Sequence, residues 1–259
     1  MLAETRRLAI VELLRASGSV VVADLESRFG VSSMTARRDL AELERQGLAK
    51  RTHGGAVLLA ISAHEDSFGS RVERDADAKA ALAAEAVSAV TSGESIFLDS
   101  SSTSFFVARR ILERGLAVTL LTNSLPVMQL VASQSGPNVD LVGVGGTLRS
   151  LTQSFVGPHA VHTVKAHFAD RLFLSVKGVT ADGTLTDADP LEAEVKRAMI
   201  EQAAESTLLL DRSKLDARGL SAIAPLGAVS SVIAHGVAEP QLTVLTNAGL
   251  PVTSTGRRR

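Results

Sequence analysis

Two groups of residues in this chain carry side chains suited to recognition chemistry. The first lies in SSMTARRDLAELERQG, residues 32–47. Arg37 and Arg38 are adjacent there, and each guanidinium fork matches the paired acceptors of a phosphate or of a guanine edge. Ser33 and Thr35 place hydroxyls just before them, and Lys50, Arg51, His53 and Gly54 follow after a break. Asp39, Glu42 and Glu44 stand among these cations, although carboxylates on a surface that meets a polyanion repel it. A helix turns about 100° per residue, and that removes the conflict. Ala36, Leu40, Leu43 and Gly47 then share the core face, as the i, i+4, i+7 spacing requires. Arg38 points away from that face, Arg37 occupies one flank, and Asp39 occupies the other, turned back toward the protein. Asp39 is therefore expected to bond a basic or hydroxyl group of its own domain.

The second group follows a series of short apolar runs. Asp99, Ser101, Ser102 and Thr103 follow the first run, Asn123 the second, Gly145 and Gly146 the third, Lys177 the fourth and Lys214 the fifth. Hydroxyls, an amide, open backbone and ammonium groups together suit a polyhydroxylated anion. Each element also has a plainer use. Ser102 or Thr103 can simply cap a helix, Gly145-Gly146 can be a turn, and the lysines can be surface charges. GVGG is not a dinucleotide fingerprint, because its glycine spacing is wrong.

The elements that must hold these residues follow from periodicity. Helical patterns over 8–14, 24–29 and 34–46 are followed by strands at 48–51 and 56–59 joined by Thr52-His53-Gly54-Gly55. A short helix, a tight turn, a capped longer helix and a two-stranded wing form a helix-turn-helix module with its second helix aimed at a groove. That company favours a duplex-facing role for Arg37 and Arg38 over an ordinary solvated face. Residues 60–77 lose periodicity and read as a linker. From Lys79 onward, apolar runs at 95–98, 118–121, 139–142, 172–176 and 207–210 alternate with helical patterns, the signature of a mainly parallel sheet. In such sheets ligands bind outside the carboxyl ends of the strands.

Composition limits the alternatives. The chain has 259 residues, a formal net charge of -1 and no cysteine, so any polyanion site must be a local patch, and disulfides and thiolate chemistry are excluded. Charges in the first fifteen residues break any secretory apolar core, and no run approaches the roughly 18 apolar residues of a membrane span. The expected location is the cytoplasm. The Arg257-Arg258-Arg259 tail reads as a solvated end. His159, His162 and His167 lack paired carboxylate spacing and read as ordinary surface or core histidines. There is no nucleophile elbow and no zinc-binding helix. An acid–base enzyme would have to draw on Asp99, Asp187, Asp189, Glu192 and Lys196, which sequence alone does not bring together.

The stretch VSSMTARRDLAELERQGLAKRTHGGAV strongly resembles the DNA-binding domain of the DeoR family of bacterial regulators, at Val31, Ser32, Thr35, Arg37–Leu40 and Arg51–Ala56. Ala36 departs mildly from the larger apolar residue usual there. FLDSSSTSFF, LLTNS, VGGTL, SFVGPHA, GVTADGTLTD, EAEVKRAMI and LLLDRSKL resemble, in order, that family's C-terminal sensor domain. That domain is akin to ribose-5-phosphate isomerase and glucosamine-6-phosphate deaminase. Ser101 stands where the family commonly has glycine, which puts the phosphate-binding form of that loop in question.

The resemblance implies an α/β protein with a winged helix-turn-helix over 1–59, a linker over 60–77 and a mainly parallel α/β effector-binding and oligomerisation domain over 78–259. It implies a sequence-specific regulator, a repressor of carbohydrate genes, that forms homo-oligomers and responds to a phosphorylated sugar. Ser33, Thr35, Arg37, Arg38, Arg51, His53 and Gly54 are the expected DNA contacts, and the second group above is the expected effector site. No cofactor, metal or catalytic residue is expected. An isomerase-like or deaminase-like enzyme fused to a DNA-binding domain, and a DNA-binding protein without an effector, are the alternatives.

Overall fold

The computed structural model of the protein describes residues 3–17, 19–45, 49–52, 54–58, 65–133, 138–215, 217–238, 245–246 and 249–256. The chain forms two compact units, Met1–Ser67 and Phe68–Arg259.

The first unit contains α1 (Ala3–Ser17), β1 (Ser19–Val21), α2 (Val22–Phe29), α3 (Ser33–Arg45), β2 (Ala49–Arg51) and β3 (Gly55–Leu58). α2 stops at Gly30, whose left-handed backbone (φ 62°) returns its N–H to the Glu26 carbonyl. The Ser32 hydroxyl then starts α3 by accepting the Thr35 N–H at 3.3 Å, an N-cap that satisfies one otherwise unpaired donor. Ile10, Leu14, Leu25, Ala36, Leu40 and Leu43 are fully buried between the helices. Each buried Leu or Ile contributes about 1.5–3 kcal/mol, which fixes the orientation of α3. β1 lies beside β3, and β3 beside β2, all antiparallel. Gly55 is required there: a Cβ at that position would stand 1.9 Å from the Val20 carbonyl oxygen.

The second unit opens with α4 (Phe68–Glu73) and α5 (Ala76–Ser88). It continues through β4 (Ser95–Leu98), α6 (Ser102–Glu113), β5 (Val118–Thr122), α7 (Leu125–Ser133), β6 (Val139–Gly143), β7 (Thr147–Arg149), β8 (Ser154–Val156) and α8 (Pro158–Lys165). β9 (Ala169–Leu174), β10 (Gly178–Val179), β11 (Thr184–Asp187), α9 (Pro190–Gln202), β12 (Ala203–Asp211), β13 (Ser221–Pro225), β14 (Ser231–His235) and β15 (Val252–Thr255) complete it. Seven strands form one sheet in the order β15-β14-β12-β9-β4-β5-β6, and each neighbouring pair is parallel. Two apolar clusters cover its faces, one around Leu172, Leu174, Leu208 and Leu210, the other around Leu98, Leu120, Phe173 and Leu209. A sheet buried on both faces explains why these strands read as continuous apolar runs instead of alternating ones.

From β4 the chain builds outward through β5 and β6, then returns to lay β9 on the other side of β4 and builds outward through β12, β14 and β15. The order therefore reverses between β4 and β9. Such a switch point opens a crevice at the carboxyl ends of the two strands.

The linker expected over 60–77 ends early. Phe68–Glu73 is helical and α5 begins at Ala76. Phe68 is buried and meets the Phe105 ring edge-on, with centroids 5.6 Å apart. A six-residue helix is too short to display a period, so a single aromatic anchor within polar surroundings was the only trace. Strands β14 and β15 and the small antiparallel sheets β10-β11-β13 and β7-β8 were not anticipated. Among the described residues no helix is long and apolar enough to cross a membrane.

Candidate functional site

The first unit offers α3 and the wing. Asp39 is buried, and its Oδ2 accepts the Arg6 Nε–H at 2.6 Å. Glu42 holds Arg45 through two guanidinium bonds, at 2.9 and 2.5 Å. Glu44 accepts the Arg51 backbone N–H at 2.9 Å and pairs with its guanidinium at 3.1 Å. Each acid of α3 is thus bound to a cation of its own unit. Arg37 and Arg38 are exposed. Arg37 lines a recess with Arg51 and Thr52 of the wing, and Arg38 lines another with Arg7, Thr35 and Arg45. The two arginines therefore have separate surroundings, Arg37 beside the wing and Arg38 beside α1.

Ser33 lies half-buried in the first turn, and the Thr35 hydroxyl sits 3.0 Å from that of Ser32. Gly54 is exposed, with nothing of the chain within 4 Å of the place a Cβ would take. His53 and the side chain of Lys50 fall outside the described residues, as does the tail 257–259. Met34, which the site reading left out, is 75 % exposed on the first turn of α3. Its place on the same outward stripe as Arg38, one turn earlier, was legible from the helical spacing.

In the second unit the crevice between β4 and β9 is lined by a connected polar network. Asp99 leaves the end of β4 and is buried. Its Oδ1 accepts the Ser101 N–H (3.1 Å) and the hydroxyls of Ser101 and Ser104 (2.5 Å each), while its Oδ2 accepts the Ser175 N–H at 3.2 Å. Lys196, from α9, reaches across to Asp187 Oδ2 (2.6 Å), Asp99 Oδ2 (3.2 Å) and the Ser175 carbonyl (2.7 Å). Burial presses the Lys196 pKa downward, but Asp187 and Asp99 outweigh it and hold the ammonium above the usual lysine range. Burial would likewise raise Asp187, but Lys196 keeps its carboxyl below the usual range.

A second knot lies beside the first. Glu192 is buried and accepts from Arg149 Nη1 at 2.9 Å, from the Ser100 hydroxyl at 2.8 Å and from the Ser154 hydroxyl. Arg149 also stands 3.3 Å from Asp189, whose Oδ1 caps α9 by accepting the N–H groups of Leu191 and Glu192. The structure thus brings together Asp99, Asp187, Asp189, Glu192 and Lys196, the residues that sequence alone could not place. Arg149, Ser100 and Ser154 were missed because each has meaning only through its partner.

The expected effector residues divide into two kinds. Ser101 is structural: its Oγ accepts the Ser104 N–H at 3.0 Å and donates to Asp99, and its φ of -73° is ordinary for any residue. The serine in place of the family's usual glycine therefore costs no backbone strain here. Asp99 is likewise committed within the network. Ser102 and Thr103 sit at the start of α6, where the helix N-terminus favours an anion. Asn123 donates to the Phe155 carbonyl at 3.0 Å, yet its Oδ1 is buried without a partner. Gly145 and Gly146 are exposed, and a Cβ on Gly146 would lie 2.6 Å from the Val156 carbonyl oxygen. Lys177 and Lys214 are half-buried. Burial lowers the Lys214 pKa, Asp211 opposes that shift, and Lys177, Arg71 and Lys196 reinforce it. A cavity of about 820 Å³ at the ends of β12 and β14 is lined by Glu73, Asp75, Asp77 and Asp211 against Arg212 and His235, a net negative charge that disfavours anions. Among the described residues no group of histidines and acids could hold a metal ion.

Comparison with known proteins agrees with this division. Residues 6–61 match the DeoR-like helix-turn-helix domain and residues 74–235 the DeoR C terminal sensor domain. The HTH-type transcriptional regulator GlpR of Haloferax volcanii is 35% identical over 236 residues, covering 91% of each chain. The putative aga operon transcriptional repressor of Escherichia coli is 33% identical, over 97% of this chain and 93% of that protein. The lactose phosphotransferase system repressor of Streptococcus mutans is 32% identical, over 89% of this chain and 91% of that one. With both domains matched in order and relatives aligned along nearly the whole length, the chain belongs to the DeoR family of helix-turn-helix transcriptional regulators.

Proposed function

We propose that this regulator represses carbohydrate genes in the cytoplasm and that a phosphorylated sugar, bound at the carboxyl edge of the sensor sheet, alters its hold on operator DNA. What supports the reading is that the strand ends at and beside the β4/β9 switch point carry a helix N-terminus, half-buried lysines and, on Asn123 after β5, an unpaired amide oxygen. These groups match a phosphate and a hydroxyl. Two of the relatives above are named repressors, one of an aga operon and one of a lactose phosphotransferase system, and this supports the sign and the substrate class. In the DNA-binding unit, Arg38 reads a base edge, Arg37 and Arg51 meet phosphates, and Ser33, Thr35 and Gly54 complete the contact surface, with His53 assigned to the wing tip by family likeness. Arg51 must share its guanidinium with Glu44.

A catalytic role is the weaker reading. All three ammonium hydrogens of Lys196 are taken by Asp187, Asp99 and the Ser175 carbonyl. A proton carrier needs a pKa near the working pH, and this one is displaced upward. The effector acts by linkage: it shifts operator affinity by the ratio of its affinities for the DNA-competent and DNA-incompetent states. Fluorescence anisotropy of a labelled operator complex, titrated with pentose and hexose phosphates, tests the proposal. A change in operator affinity with at least one sugar phosphate and none with its unphosphorylated parent is expected. No response to any of them removes the sensing claim.

A further inference from the structure

One cation without a hydrogen-bonded partner stands outside the strand ends. Arg71 lies on α4, four residues beyond Ser67, where the DNA-binding unit ends. Its Nε and Nη2 are buried and make no hydrogen bond. A buried donor left unpaired costs about 1–3 kcal/mol, more when charged, so an orphan guanidinium calls for an acceptor. The helix that carries it is fixed in place. Phe68 is buried against Phe105 of α6, three residues after the helix N-terminus that Ser101 caps, and the Arg71 guanidinium lies 5.8 Å from the Phe68 ring centre.

Arg71 also lies within electrostatic reach of the sensing groups. Its charge is felt at Asp187 and at Lys214, which places it among the residues at the carboxyl edge of the sheet. Two cations there already have partners. Lys196 is neutralised by Asp187 and Asp99, and Arg149 is held by Glu192 and Asp189. Arg71, Lys177 and Lys214 make no ion pair among the described residues, and they repel one another around Lys214 with Asp211 as the nearest counter-charge. This is an excess of positive charge with fixed geometry and unfilled donors. A guanidinium offering Nε and Nη2 side by side matches two oxygens of one tetrahedral anion.

Resting on the sensing role proposed above, we infer that Arg71 grips the phosphate of the effector through its Nε–H and Nη2–H. We infer also that, through α4, it passes occupancy of the site to the DNA-binding unit that α4 directly follows. Arg71 is thereby a binding residue and a coupling residue, and a neutral sugar lacking phosphate leaves it unengaged.

The test uses the full chain, with inorganic phosphate, a panel of pentose and hexose phosphates and the parent sugars as probes. Affinities are read by calorimetry, and operator affinity by anisotropy. Arg71→Gln is expected to weaken inorganic phosphate and sugar phosphate at least tenfold and to abolish the response of the operator complex to them. Arg71→Lys, which keeps the charge and loses the fork, is expected to bind the same anions more weakly than wild type. It also covers the case in which Arg71→Gln does not fold. Wild-type affinity for phosphate and sugar phosphate in both variants would overturn the inference and leave the sensing proposal standing. Failure of the wild type to bind any of these anions would overturn both.

Discussion

The Nε–H of Arg6 on α1 meets Oδ2 of Asp39 on α3 at 2.6 Å, with both side chains buried. This bond turns the first acid after Arg37-Arg38 into the DNA-binding unit and pins the presenting helix to α1. Truncating one member takes a bonded counter-charge from a buried ion, which typically costs about 3–5 kcal/mol. Arg6→Ala and Asp39→Ala should each destabilise the first unit by that amount in chemical denaturation, and Arg6→Met with Asp39→Leu should cost less than either. If each single variant loses under 1 kcal/mol, the pair does not hold α3.

Arg37 and Arg38 occupy different surroundings, so their loss should differ in kind. Arg38→Ala should relax preference at one base pair by about 1–3 kcal/mol. Arg37→Ala should weaken selected and scrambled duplexes alike and reduce the salt slope by about 1. Binding titrations at several salt concentrations check both, and identical profiles for the two variants would show that the roles are wrongly divided.

The Asp187–Lys196 pair makes the sensor unit acid-sensitive. The folded pKa of Asp187 lies below the ordinary aspartate value of about 3.9, so the stabilisation is complete above that value. It is lost as pH falls through the folded pKa. The Tm of the sensor transition should therefore drop steeply below about pH 4 in the wild type. Asp187→Asn should be less stable at pH 7, by on the order of 3 kcal/mol, with a flatter acid limb. Parallel acid limbs in calorimetric scans would assign the sensitivity to other groups.

Lys214 gives a second pH signature. Its pKa is lowered by burial and by the neighbouring cations, and a bound anion would restore it toward the ordinary value of about 10.4. Anion binding at alkaline pH below the ordinary lysine value should therefore take up protons, and affinity should rise as pH falls toward neutrality. Calorimetry in two buffers of different ionisation enthalpy measures the uptake. Proton release on binding would contradict it.

Much of this was legible in the sequence because the strongest signals were local. The 3.6-residue stripe of Ala36, Leu40 and Leu43 fixed which way Arg38 and Asp39 point, and the buried Arg6–Asp39 bond agrees with that geometry. The apolar runs marked β4, β5, β6, β9 and β12 because a sheet covered on both faces needs no alternation. The end of β4 marked Asp99, which the fold joins to Ser175 after β9. What stayed hidden depends on distance along the chain. Ser100 and Glu192 meet across 92 residues, and Arg149 and Glu192 across 43. α4 showed no period at six residues, so Arg71 read as part of a linker. Ser101, expected among the effector residues in place of the family's usual glycine, caps α6 instead, a role that depends on where the helix begins.

Anisotropy of the full chain on a duplex selected from genomic fragments, against a scrambled duplex of equal length at physiological salt, tests the central claim most directly. The account predicts at least a thousandfold preference for the selected duplex, within the usual range for specific regulators, and loosening of that complex by a sugar phosphate. Equal, weak binding of both duplexes, unmoved by any sugar phosphate, would contradict it.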